Sequence, residues 1–210
     1  MPLFSHHPIV RSMVLLLLLL GTTRQAIGQQ GLETHHYAID IAGARIGTMT
    51  ATRHQLTDNE ALYTQISDVQ VNFLVYKLII YYKVISRFKN DQLMLSTVEA
   101  RTNKGTYSSR TEWKGNYYDI EANQYKYVRK ARENRKIDFT VSKLYFSEPT
   151  GRQQVYAEYF GDYFTTALTS RPSYRAKLAD REDEYIYEKG RLVRVIKKNA
   201  LKNFNIRLLD

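Results

Sequence analysis

Residues 73–88 read FLVYKLIIYYKVISRF, the most apolar run beyond the N-terminus, and three cations interrupt it. Their positions constrain the fold more than any other feature. Read as a helix, Lys77, Lys83 and Arg87 spread over roughly a third of the circumference. Read as a strand, all three share one parity, because successive side chains point to opposite faces. The other parity carries Tyr76, Leu78, Ile80, Tyr82, Val84, Ser86 and Phe88, which is nearly all apolar. Lysines well inside the run argue against a membrane span. The cationic face keeps Val75, Ile79, Tyr81 and Ile85. The run therefore predicts a long strand with one dry and one partly covered face, as in a curved sheet.

The rest of the chain repeats this pattern. It holds 17 Tyr and only four Pro, a composition that suits pleated strands. Turn signals recur at short intervals, among them Asp58-Asn59, Asn103-Lys104-Gly105, Gly161-Asp162 and Lys189-Gly190. Such spacing predicts a meander of hairpins. The first hairpin is expected over 36–56, turning at Gly43-Ala44. Strands are expected over 60–72, 92–103, 106–114, 116–122 and 124–131. A second set is expected over 154–160, 163–169, 174–178, 183–188, 192–197 and 201–208. Between the two sets, residues 140–147 predict one short helix, with Thr140 as the cap and a stop before Glu148-Pro149. The expected fold class is mostly β: a single curved antiparallel meander sheet or half-barrel with one short helix.

The N-terminus carries Arg11, an unbroken apolar block from Met13 to Leu20, and the small-residue segment Ala26-Ile27-Gly28. This is the pattern of a secretory signal peptide. The block is shorter than the roughly 20 residues a membrane-spanning helix needs. The expected organisation is residues 1–28 as signal peptide, cleaved after Gly28, and 29–210 as one β-rich domain. The product would be exported to the periplasm or beyond and soluble, with no transmembrane helix in the mature chain. No cysteine occurs, which rules out disulfides, thiolate metal sites, a Cys nucleophile and a lipidated-Cys anchor. Cleavage removes Arg11 and Arg24 and no acid, leaving 29 Lys+Arg against 21 Asp+Glu, a charge of +8. Such an excess is compatible with an anionic envelope surface as partner, although an ordinary solvated surface explains it as well.

The hairpin YAIDIAGARIGTMTATR, the long strand, the LYFSEPTG segment, the late EYIYEKGRLVRVIKK hairpin and the terminal FNIRL strand follow one another in a recognisable order. The chain so resembles a domain-of-unknown-function family of short exported proteins of Bacteroidetes-type bacteria. The resemblance covers about residues 34–208; its markers are Gly43, Arg45, Ile46, Gly47 and Thr48, then Leu144, Tyr145, Phe146, Glu148, Pro149 and Gly151. None of these has a catalytic look, and the family has no established activity, so no functional residue carries over. The resemblance implies an architecture similar to periplasmic β-proteins that wrap a curved sheet around a helix, as lipoprotein carriers do.

Motifs for chemistry are few. No nucleophile elbow, zinc-protease, P-loop or dinucleotide-binding pattern is present. Glu182, Asp183 and Glu184 lie in a charged turn, where solvated acids are the default. His35 and His36 point to opposite faces of a strand and cannot share an ion. Pairing Ala42 with Arg45 would set His35 opposite Thr52 and bring His54 onto the same face. That diagonal pair lacks a third ligand, so solvent-facing histidines and no metal are expected. The basic runs 126–136 and 191–198 interleave cations with Tyr and aliphatics. Such runs can bind single-stranded nucleic acid, but export argues against that partner.

The leading expectation is non-catalytic binding of a lipid or other amphipathic small molecule, with no cofactor. Tyr76, Leu78, Ile80, Tyr82 and Val84 are the candidate lining, because they share the apolar parity of the long strand. One alternative is a structural or interaction module that meets a protein or anionic polymer through its basic, Tyr-rich face. Another is an unrecognised hydrolase, which needs Asp, Glu or His gathered in one pocket.

Overall fold

A computed structural model describes residues 31–73, 76–169, 172–198 and 203–209, without the side chains of 72, 73, 76 and 78. The expected signal peptide and its cleavage site lie outside the described residues. The first eight strands are β1 (Leu32–Ile41), β2 (Ala44–Thr57), β3 (Glu60–Phe73), β4 (Tyr76–Lys89), β5 (Gln92–Thr102), β6 (Gly105–Trp113), β7 (Tyr118–Gln124) and β8 (Tyr127–Glu133). A short helix, α1 (Val141–Leu144), separates them from β9 (Gln154–Ala157), β10 (Asp162–Leu168), β11 (Ser173–Leu178), β12 (Arg181–Glu188), β13 (Arg191–Lys197) and β14 (Phe204–Leu208).

All fourteen strands form one antiparallel sheet, ordered β8 to β1 and then β14 to β9. Every chain neighbour is a sheet neighbour except across the α1 connection, and β1 pairs with β14 through Tyr37↔Leu208 to Ile41↔Phe204. The order is a ring of hairpins left open between β8 and β9. The connection between those two edges turns inward. Leu93 N–H donates to the Ile137 carbonyl, and Tyr156 N–H to that of Phe139. Ile137, Leu144 and Tyr145 are buried against the sheet's inner face, each worth about 1.5–3 kcal/mol if fully removed from water. The mostly-β class, the single curved sheet and the one short helix among the described residues thus agree with the sequence pattern.

The two open edges meet through side chains. Tyr156 of β9 hydrogen-bonds Thr111 of β6 (2.7 Å), and Arg129 of β8 donates to the Gly161 carbonyl (3.1 Å). Gly161 has φ +62°, and a Cβ there would lie 2.5 Å from Ile120 Cγ2. Glycine is required for both reasons. Gly47 permits another close approach, since a Cβ would fall 2.2 Å from the Asp68 carbonyl oxygen.

Three expectations need correction. The apolar run is not one strand: Phe73 ends β3 and pairs with Tyr76, the first residue of β4. Among the described side chains the parity argument survives, with Lys77 and Arg87 exposed and Val84, Ser86 and Phe88 buried. The first hairpin pairs Ile41 with Ala44, and a bulge at Ile39/Asp40 shifts the register, so His35 opposes Ala51 and His54 opposes Leu32. His35 and His54 therefore lie on opposite faces. His35 is not solvent-facing. It is buried, stacks on Phe146 at 5.2 Å and hydrogen-bonds the Tyr145 carbonyl through Nδ1 (3.1 Å).

Candidate functional site: a cavity inside the rolled sheet

The inward faces of β1 to β4, β13 and β14 do not pack completely against the inner connection. Between them lies a cavity of about 320 Å³. Its sheet wall includes Met49, Val69, Ile80 and Ile206; its opposite wall includes Val141, Ala157, Phe160 and Phe164. Ile80, Tyr82, Tyr159, Phe160 and Phe204 are partly exposed, which sets the mouth of the cavity on their side. Aromatic rings continue outward from it. Tyr82 lies 6.0 Å from Tyr159, Tyr159 4.7 Å from Phe160, and the Arg181 guanidinium 4.7 Å over Phe160.

Of the residues singled out from sequence, Ile80 and Tyr82 line the cavity. Val84, on the same parity, is 1% exposed and packed into the core outside the lining. The side chains of Tyr76 and Leu78 lie outside the described ones. Parity locates a face, but it does not say which stretch of that face meets a filler.

Polar groups in the wall fall into two kinds. Glu158, 3% exposed, is fully engaged. Its Oε1 accepts from Ser142 Oγ (2.6 Å), Ser142 N–H (3.1 Å) and Ser86 Oγ (3.2 Å), and its Oε2 from Val141 N–H (3.1 Å). It thereby serves the α1 N-terminus, where Thr140 makes no side-chain cap; the expected capping role of Thr140 passes to Glu158. Four donors occupy about all the lone-pair sites a carboxylate has, which suits a fixed anchor between α1 and β4. Lys197 is likewise engaged, by Asp183 at 2.6 Å.

The second kind is unengaged. Gln65 is 4% exposed, and its Nε2 is buried with no hydrogen-bond partner. The hydroxyls of Tyr82 and Tyr145 make no hydrogen bond among the described residues, although Tyr145 is 2% exposed. Burial holds both phenols well above their usual range, with Glu158 adding to the rise at Tyr82 and Tyr37 at Tyr145. Both are neutral donors at any physiological pH.

Sequence reasoning missed Gln65, Tyr145, Glu158 and Lys197. One signal was readable: Gln65 and Ser67 interrupt a buried parity shared with Tyr63, Val69 and Val71. Glu158 carried none, because its partners are distant in sequence. Among the described residues no group of three or more His, Cys, Asp or Glu could hold a metal, and no helix is long and apolar enough to cross a membrane.

The basic runs are largely engaged within the chain. Lys130 pairs with Glu121 (2.7 Å), Arg129 with Asp162 (3.3 Å) and Arg135 with Glu133 (2.7 Å). Lys126 lies 5.3 Å over Tyr125 and Arg132 4.7 Å over Tyr117. Lys198 is held by Glu182.

No curated protein matches the chain significantly. Among solved structures, a β-barrel-like protein of the domain of unknown function DUF1849 from Brucella abortus is similar in fold. Its TM-score is 0.57 at 7% identity, covering 84% of this chain and 95% of that one. At that identity the likeness concerns the fold alone. The model of the domain of unknown function DUF6134 matches residues 37–209, nearly all of the rolled sheet and the cavity within it, and the chain belongs to that family.

Proposed function

We propose that this chain is an exported envelope protein that holds a lipid-like or amphipathic molecule inside its rolled sheet without transforming it. The observation that carries this reading is the cavity of about 320 Å³ with its mainly apolar wall. Small-molecule sites are typically concave, mostly apolar and provided with a few placed polar groups, within about 300–1,000 Å³. The wall at Met49, Val69, Phe160 and Phe164 with Gln65, Tyr82 and Tyr145 fits that description. Glu158 has its oxygens taken up by the fold, so it supports holding rather than acid–base chemistry. Export rests on the N-terminal pattern of Arg11, the apolar block and Ala26-Ile27-Gly28.

The test is expression of the full chain with its own N-terminal segment in a Gram-negative host. Native mass spectrometry of the periplasmic protein should give a reproducible small adduct, and organic extraction should release it. A mature mass lacking residues 1–28 is expected. A clean apo mass, joined to no binding of any apolar probe, would overturn the ligand reading. Retention of the protein in the cytoplasm with residues 1–28 intact would overturn export.

A further inference from the structure

The cavity walls also constrain what could fill them. We infer that the occupant is an uncharged molecule with a single apolar chain or small ring system whose polar end carries hydrogen-bond acceptors, such as an ester or ketone carbonyl. This deepens the ligand-holding reading and rests on it.

Size comes first. A volume of about 320 Å³ stands at the lower end of the roughly 300–1,000 Å³ of small-molecule sites. That accommodates one short chain or ring system. A cavity at that end of the range suits one chain better than the two acyl chains of a phospholipid.

Charge comes second. The Glu158 carboxylate sits in the wall, and its four partners are neutral hydroxyls and backbone N–H groups. Among the described residues no ion pair reaches it, and Lys197, the cation in the cavity wall, is paired with Asp183. An anionic head group would enter against that field and lose its hydration. A cationic head would be drawn to Glu158 but would find its acceptor sites filled.

Donors come third. Gln65 Nε2 has no partner, and neither the Tyr82 nor the Tyr145 hydroxyl is hydrogen-bonded among the described residues. Gln65 pairs with Val84 across the β3–β4 ladder, so Tyr82 is its diagonal neighbour on the same face. Tyr145 approaches from the opposite wall. Leaving the buried Gln65 Nε2 unpaired is costly, and an acceptor placed among these three donor-capable groups would satisfy it. Neutral phenols can give that proton; the raised ionisation range of both tyrosines keeps them so.

The test compares dodecanoic acid with its methyl ester, and with a two-chain phosphatidylcholine, on the delipidated full-length protein by titration calorimetry at a pH where the acid is ionised. The ester should bind at least about tenfold tighter than the acid, and the phospholipid should not bind. Tyr82→Phe and Gln65→Leu should each weaken ester binding about three- to tenfold, the worth of one hydrogen bond. Thermal denaturation checks that each variant folds, and the ester–acid ratio in the unaltered protein is decisive if one does not. An acid that binds as tightly as the ester, or a phospholipid that competes, would overturn the inference while leaving the ligand-holding reading intact. Failure of all three probes to bind would count against that reading itself.

Discussion

The two ends of the β3–β4 ladder share a backbone and a parity, yet one is filled and the other is not. At the filled end Ala61, Tyr63 and Phe88 pack with Leu93, Tyr118, Ile120, Ile137 and Tyr156. There Tyr156 shares a hydrogen bond with Thr111 (2.7 Å), and the Tyr118 hydroxyl accepts from Ile137 N–H (3.3 Å). Even Lys143, 8% exposed, is accommodated, with its ammonium 4.0 Å over Phe88 and bonded to the Asp138 carbonyl (2.9 Å). At the open end Gln65, Ser67, Val69, Ile80 and Tyr82 face the cavity, and among the described residues neither Gln65 Nε2 nor the Tyr82 hydroxyl makes a hydrogen bond. The difference lies in what crosses opposite each end. Ile137 and Phe146 fill one, while Val141, Tyr145 and the turn at 158–160 face the other across the cavity. Native interiors are close-packed, with few voids larger than a water molecule, so a void with unpaired polar groups is a local exception that binding would explain.

Gly161 is the sharpest way to break the filled end. Gly161→Val adds a Cβ into the space of Ile120 Cγ2 at a φ of +62°. Backbone strain and overpacking together should cost about 2–5 kcal/mol, read as a fall in the denaturation midpoint by chemical unfolding. Glu158→Gln comes next, because the residue belongs to both regions: it lines the cavity and anchors α1. Replacing one carboxylate oxygen by an amide should cost about 2–4 kcal/mol, since buried N–H and hydroxyl donors lose a charged acceptor. It should also narrow the gap in affinity between the ester and acid probes, which calorimetry would read.

A matched pair of hydroxyl deletions then compares the two ends directly. Tyr156→Phe leaves the buried Thr111 hydroxyl without its partner and should cost about 1–3 kcal/mol. Tyr82→Phe removes no hydrogen bond among the described residues and should stay within about 0.5 kcal/mol in the unliganded protein. Equal costs from the two would show that the cavity hydroxyl is structurally engaged after all. The smallest effect at neutral pH is the alkaline one. Burial raises the phenols of Tyr145, Tyr156, Tyr185 and Tyr187 above their usual range. A folded-state value above the unfolded one means stability that is complete below about pH 10 and declines as pH rises beyond it. Tyrosinate absorbance of these residues should therefore appear together with unfolding monitored by circular dichroism, rather than ahead of it.

Much of this was legible along the chain. Alternation at Lys77, Lys83 and Arg87 identified the buried face of β4, and the spacing of turn signals located most of the other strands to within a few residues, because period-two patterning and turn chemistry are local properties. The inward position of Gln65 was readable in the same way. The bulge at Ile39/Asp40 was not, and it alone separated His35 from His54. Nor was the boundary at Phe73, since an apolar run looks the same on either side of a strand end.

The sequence by itself determined the class of element, the faces that must be dry, the absence of any cysteine chemistry and the membership of a family without a known activity. Only the tertiary structure decided that the two series of hairpins join through β1 and β14, that the connection carrying α1 enters its own roll, and that a cavity is left between Tyr145 of that connection and Gln65 and Tyr82 of the sheet. Periodicity reports which way a side chain points, whereas a cavity depends on the distance to a segment far away in the chain. For β4 and the turn that bears Glu158, that separation in sequence is about 70 residues, with Glu158 reaching Ser86 across it.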